Sequence, residues 1–141
     1  MFFGALRERL EDDTLRNKAL ALQLLEEQTA GRVADVLHAM EIDLGDESPF
    51  IARSLADGAD AAGRPWIEMI EATLEIEPNS IVAYRQLEAL LPDRSISRVL
   101  IEHADALIEF CERERSGDLD GSLAPVIAIL STESRDKLAG R

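Results

Sequence analysis

Apolar side chains recur at three- and four-residue steps along most of the chain, and the cleanest run lies between Ser95 and Arg115. Ile96, Val99, Leu100, His103, Leu107 and Phe110 share one side of a helix that turns about 100° per residue. His103 stands at the centre of that stripe, where a polar group needs a partner or a task. Upstream, Phe2, Phe3, Leu6 and Leu10 predict a short N-terminal helix packed on its own domain. Residues 14–44 keep one inward face through Leu15, Ala19, Leu22, Leu25, Thr29, Val33, Val36, Leu37, Met40 and Leu44, with Asp12 or Asp13 as cap and Gly45 as stop. Gly31 interrupts this run and leaves two forms open, one long helix or two hinged near Thr29 to Gly31.

Ser48-Pro49 is a helix start, with serine as cap and proline as first residue. The stretch from Ser54 to Pro65 is small and polar and reads as a loop or hinge, centred on 56–65. Pro65 opens the next helix, whose inward face is Trp66, Met69, Ile70, Thr73 and Leu74. Pro78 falls inside this run, yet Ile81, Tyr84, Leu87 and Leu91 continue it in phase. Trp66 to Leu91 is therefore either one kinked helix or two short ones meeting at Pro78. Glu77 is a carboxylate on the inward side. Glu68, Glu71 and Glu75 face outward as a hydrated acidic surface. The connection Pro92–Ser95 is so short that the next helix must be an antiparallel neighbour. Ser116-Gly117 stops that helix, Leu123 to Leu130 predicts a last short one, and residues 131–141 read as a frayed tail. No segment alternates with period two for long enough to be a strand. The expected fold is all-α: one domain, residues 1–141, as an antiparallel bundle or short repeat-like stack of five or six helices.

Charge narrows the partners. The chain carries 28 acidic against 15 basic residues, a formal net charge of −13, with 46% hydrophobic residues. Nucleic acid and anionic membranes are disfavoured, because both require a basic face. A protein partner, especially a basic one, or self-association remains. Cys111 is the only cysteine, no apolar run has the length of a membrane span, and the N-terminus has no signal-peptide core. These features lead to the expectation of a cytoplasmic protein.

Chemistry-bearing groups are few. His103 and Cys111 are eight residues apart on one helix, about 12 Å along its axis, and cannot form a nucleophile pair. No catalytic residues are assigned and no cofactor is expected. His103 has three readings: a core histidine bonded to Tyr84, Glu77 or a backbone carbonyl, a ligand contact, or a metal ligand. The favoured one is the first, with Tyr84 as partner. If a small ligand binds, the candidate residues are His103, Tyr84, Trp66 and Glu77.

Two local resemblances bear on architecture. Residues 70–87, with Leu74, Pro78, Asn79, Ala83, Tyr84 and Leu87, resemble a junction between tetratricopeptide repeats, which implies packed antiparallel helices. Glu88 stands where that family places a small glycine, and there is no second copy. Residues 102–110, beginning Glu102-His103-Ala104-Asp105, resemble the metal-binding helix of ferritin-like carboxylate proteins. That resemblance implies a metal site, but Leu100 occupies the position three before His103 where the family has its glutamate. The function expected from these features is a non-catalytic acidic interaction or adaptor domain. The alternatives are a ferritin-like metal-binding protein with an unusual site and a small-ligand-binding bundle.

Overall fold

A computed structural model describes residues 1–43 and 45–140. The inward position expected at Leu44 lies outside the described residues. The chain is all-α, with seven helices among the described residues. They are α1 (Phe2–Arg9), α2 (Asp13–Ala39), α3 (Ser48–Ala61), α4 (Trp66–Leu90), α5 (Ser95–Ser116), α6 (Ala124–Ile129) and α7 (Thr132–Leu138).

The centre is α5, flanked by α2 and α4. Lys18 meets Glu114 while Arg32 meets Glu102, so α2 runs antiparallel to α5. The connection at Pro92–Arg94 folds α4 back along α5. At one end of this layer α1 packs on α2, and α3 packs on α1. On another side α6 sits on α5, and α7 on α2. The core joins Leu22 and Leu25 of α2, Ile70 of α4, and Leu107 and Phe110 of α5, closed by Leu6 and Val126. It is concentrated at one end, where α4 buries Met69 and Ile70; at the other end α5 buries Ile96 and Val99, while the second half of α4 has no fully buried side chain.

Local chemistry accounts for the boundaries. The Asp12 side chain accepts from the Leu15 N–H at 2.8 Å and caps α2. Ser48, expected as a cap, is instead the first residue of α3, and neither α3 nor α5 has a side-chain bond from its N-cap residue; the aspartate one position earlier bonds the first helical N–H in each. Asp46 Oδ1 accepts from Ser48 N–H at 3.0 Å, and Asp93 Oδ1 from Ser95 N–H at 2.8 Å. Gly117, with φ of 87°, ends α5 as expected.

Two alternatives left open by the sequence resolve to the single helix: Gly31 lies within α2 and Pro78 within α4. Gly31 is exposed and the proline is on the outer side, so neither loses a packing contact there. The end of α2 comes at Ala39, before Gly45, because Glu41 takes the left-handed conformation (φ 58°) and Ile42 N–H reaches back to Leu37 C=O. The stretch expected as a loop from 56 is helical to Ala61. Its alanines favour helix, and Gly58 lets α3 cross α1 so closely that a Cβ there would sit 2.2 Å from the Phe2 carbonyl oxygen. The tail is not frayed through its first turns. Ser131 caps α7, and Gln28 of α2 clamps the α6–α7 turn by donating to Ile129 C=O and accepting from Ser131 N–H. This helix brings the number to seven.

The two glycines give opposite outcomes on substitution. Gly31→Ala should stabilise the protein by about 1 kcal/mol, since helix propensity improves and the new methyl meets nothing. Gly58→Ala should destabilise it by about 1–3 kcal/mol, because α1 backbone must move. Urea unfolding of the two variants checks both signs.

Candidate functional site

The four residues nominated from the sequence are not brought together around one cavity. His103 lies on the side of α5 that faces α2, and its Nδ1 shares a 2.9 Å hydrogen bond with the Thr29 hydroxyl. The expected partners, Tyr84 and Glu77, belong to α4, which packs on a different side of α5. Cys111 marks that side, with Thr73 as its hydrogen-bonding neighbour. Burial holds the His103 imidazole below its ordinary range, and it pushes the Glu77 carboxyl up. Tyr84 is raised by burial first and by the Glu77 charge second, and Ser80 provides its hydrogen bond. Burial also pushes the Cys111 thiol up to about 12, so it remains a protonated core group near neutral pH.

Trp66 sits at the opposite end of α4, in a polar lock that sequence reasoning missed. Lys18 of α2 forms an ion pair with Glu114 of α5, and both side chains are almost fully buried. The second carboxylate oxygen of Glu114 accepts from Trp66 Nε1 at 2.8 Å. The Trp66 ring stands edge-on to Phe110, with centroids 6.5 Å apart at 87°. Both oxygens of Glu114 are thereby used, and the indole is a structural strut. A signal was present in the sequence. Lys18 follows Leu15 by three, and Glu114 follows Phe110 by four, so opposite charges stood on the apolar stripes of two helices.

Among the described residues, no group of three or more His, Cys, Asp and Glu side chains converges in a way that could hold a metal ion. None of the described helices is long and apolar enough to cross a membrane.

The surface offers a different kind of site. A groove of about 320 Å³ runs between α4 and the α1–α3 pair. Its floor is Phe2, Ala61, Met69, Ala72 and Ile76. Asp57 and Asp60 of α3 stand on one rim and Glu68 of α4 on the other. The α3 carboxylates have exposed arginine neighbours, Arg53 at 3.6 Å from Asp57 and Arg64 beside Asp60. On α4, Glu71 approaches Arg115 at 3.9 Å, and the exposed Glu75 continues the acidic edge one turn beyond. The expectation that these three glutamates face solvent is met.

Comparison of the chain with protein-family models, curated proteins and solved structures finds no match. The functional reading therefore rests on this chain's own surface and interior.

Two predictions follow from the interior. Lys18→Met or Glu114→Gln alone should each cost about 3–5 kcal/mol, by leaving a buried charge or polar group without its partner. Lys18→Met combined with Glu114→Leu should recover most of that loss, which a double-mutant unfolding cycle measures. The second concerns pH. His103 has a folded pKa below the 6.5 of the unfolded chain, so stability falls as pH drops through about 6.5 and levels off below the folded value. Glu77 has a folded pKa above 4.5; its contribution is complete below pH 4.5 and lost as pH rises through the folded value. In thermal melts between pH 4 and 8, His103→Gln should flatten the acid-side fall. Glu77→Gln should raise the melting temperature at pH 7 and leave it nearly unchanged at pH 4.

Proposed function

We propose that the chain is a non-catalytic interaction domain that docks another protein on apolar surface left uncovered by its own helices. The observation that carries this reading is the exposure of large apolar side chains along α3 and α4. Phe50 is 75% exposed, Ile76 61%, Val82 55% and Leu90 80%. Met69, Ala72, Ile76, Ala83 and Leu90 recur on one side of α4 and form a ledge about 30 Å long.

The total surface supports the same reading. The molecule exposes 8585 Å², against about 7,200 Å² for a compact monomer of this size. The difference is of the order that a specific protein interface buries. It arises because α3 rests mainly on α1, and α4 packs chiefly on α5. Meanwhile the groups with chemical potential are engaged in the interior. His103 holds Thr29, Glu114 holds Lys18 and Trp66, and Cys111 is a buried thiol.

The test is affinity capture, comparing the wild-type chain with a surface variant carrying Phe50→Ser, Ile76→Ser, Val82→Ser and Leu90→Ser. Because these side chains face solvent, the variant should keep the wild-type melting temperature within a few degrees while losing the proteins the wild type retains. Retention of the same proteins by both would defeat the reading.

A further inference from the structure

Resting on that interaction reading, we infer that the groove between α3 and α4 is a docking site for a cationic amphipathic helix of a partner protein. The floor supplies the apolar half of the recognition. Phe2, Ala61, Met69, Ala72 and Ile76 come from three helices yet line one open trough. Ala61 and Ala72 are small, so the α3 and α4 backbones lie close to the surface and leave room for inserted side chains. A helix laid into such a trough reads it with apolar residues spaced i, i+3 or i+4, and i+7. The ledge continues past the trough to Ala83 and Leu90 on the same side of α4, which gives space for about five helical turns of a partner.

The rims select the sign of the partner's charge. Glu68 and Glu75 follow one edge of the apolar stripe seven residues apart, and no ion pair engages either of them among the described residues. Across the trough, Asp57 and Asp60 stand in exposed ion pairs with Arg53 and Arg64, and Arg64 also lines the groove; such pairs contribute little, and an incoming cation can share the carboxylates as Arg64 swings outward. Basic side chains flanking a partner's apolar stripe would meet carboxylates on both sides. The net charge of −13 adds a long-range attraction for such a helix and a repulsion for an acidic one. Charge complementarity and trough shape together therefore favour a basic helix over a second copy of this chain.

The probe is a fluorescein-labelled 18-residue peptide with leucines on one helical face and lysines elsewhere, titrated with the full chain by fluorescence anisotropy. A second peptide of the same composition, with its leucines scattered around the helix, measures diffuse attraction to the acidic chain. The amphipathic peptide should bind at least tenfold more tightly than the scattered one. Ile76→Asp should weaken its binding at least tenfold, although that substitution adds a negative charge that would strengthen non-specific attraction. Glu68→Gln with Glu75→Gln should weaken it about three- to tenfold and lessen its salt dependence. Circular dichroism confirms that the variants fold; Ile76, Glu68 and Glu75 are all exposed. Equal affinity for the two peptides, or binding unchanged or improved by Ile76→Asp, overturns the inference. If the peptide fails but the fourfold surface variant still loses its captured proteins, the partner uses another patch and the interaction reading stands. If neither is lost, both fall.

Discussion

The carboxylate of Glu114 is the point on which the arrangement of the long helices depends. One oxygen takes Lys18 from α2 and the other takes the Trp66 indole from α4, so a single side chain of α5 fixes both of its neighbours. A buried ion pair is a poor source of net stability, because desolvation offsets most of its Coulomb attraction. Its contribution is better sought in the register of the helices, to which it adds a penalty beyond that of apolar packing. A slide that separated Lys18 from Glu114 would leave a buried charge unpaired, which is costly. The edge-on contact of Trp66 with Phe110 places the same constraint on the rotation of α4.

Fixing the helices at one end has a consequence at the other. Core residues concentrate where α1, α6 and the Glu114 lock gather, and α4 leaves that core after Leu74. Beyond it the helix packs chiefly on α5. Pro78 is tolerated in this part because its outer position needs no close packing, although a proline in a helix interior normally costs about 3 kcal/mol. The polar contacts are also less demanding there. Thr29 and His103 share one hydrogen bond in a partly buried site, and Arg32 meets Glu102 in solvent. The molecule thus combines a densely packed end with a less covered one, and the apolar ledge belongs to the latter.

Period and punctuation made the all-α fold legible in the sequence. The run from Ser95 to Gly117, the Asp12 cap and the tight turn after Leu91 all specify structure within a few residues of chain, which is the range that pattern reasoning sees. What escaped it depends on distant contacts. Gly58 reads as a loop residue until α1 is placed across it, and Ser131 to Leu138 reads as a tail until Gln28 reaches it from α2. The candidate site was less legible still. His103 was recognisable as a polar group needing a partner, but its angular position could not tell which neighbour would supply one. Lys18 and Glu114 carry no signal by residue type, because charged residues are usually solvated. Their placement on facing apolar stripes carried more information than their type. The groove was beyond reach, since its floor draws on Phe2, Ala61 and Ile76, which no local pattern joins.

Exposed apolar surface invites self-association, and the charge distribution bears on why this chain can carry it. Joining two copies along α4 would bring Glu68, Glu71 and Glu75 of each toward the same region, on molecules that each hold a net charge of −13. Like charges facing across an interface disfavour the wrong partner by several kcal/mol. The same carboxylates favour a cationic partner and accelerate its approach. An acidic edge beside an apolar floor therefore does two things at once: it opposes pairing of like with like and leaves the floor open to a partner of opposite charge. Under the proposed interaction reading, the high acidity of the chain would contribute to its selectivity.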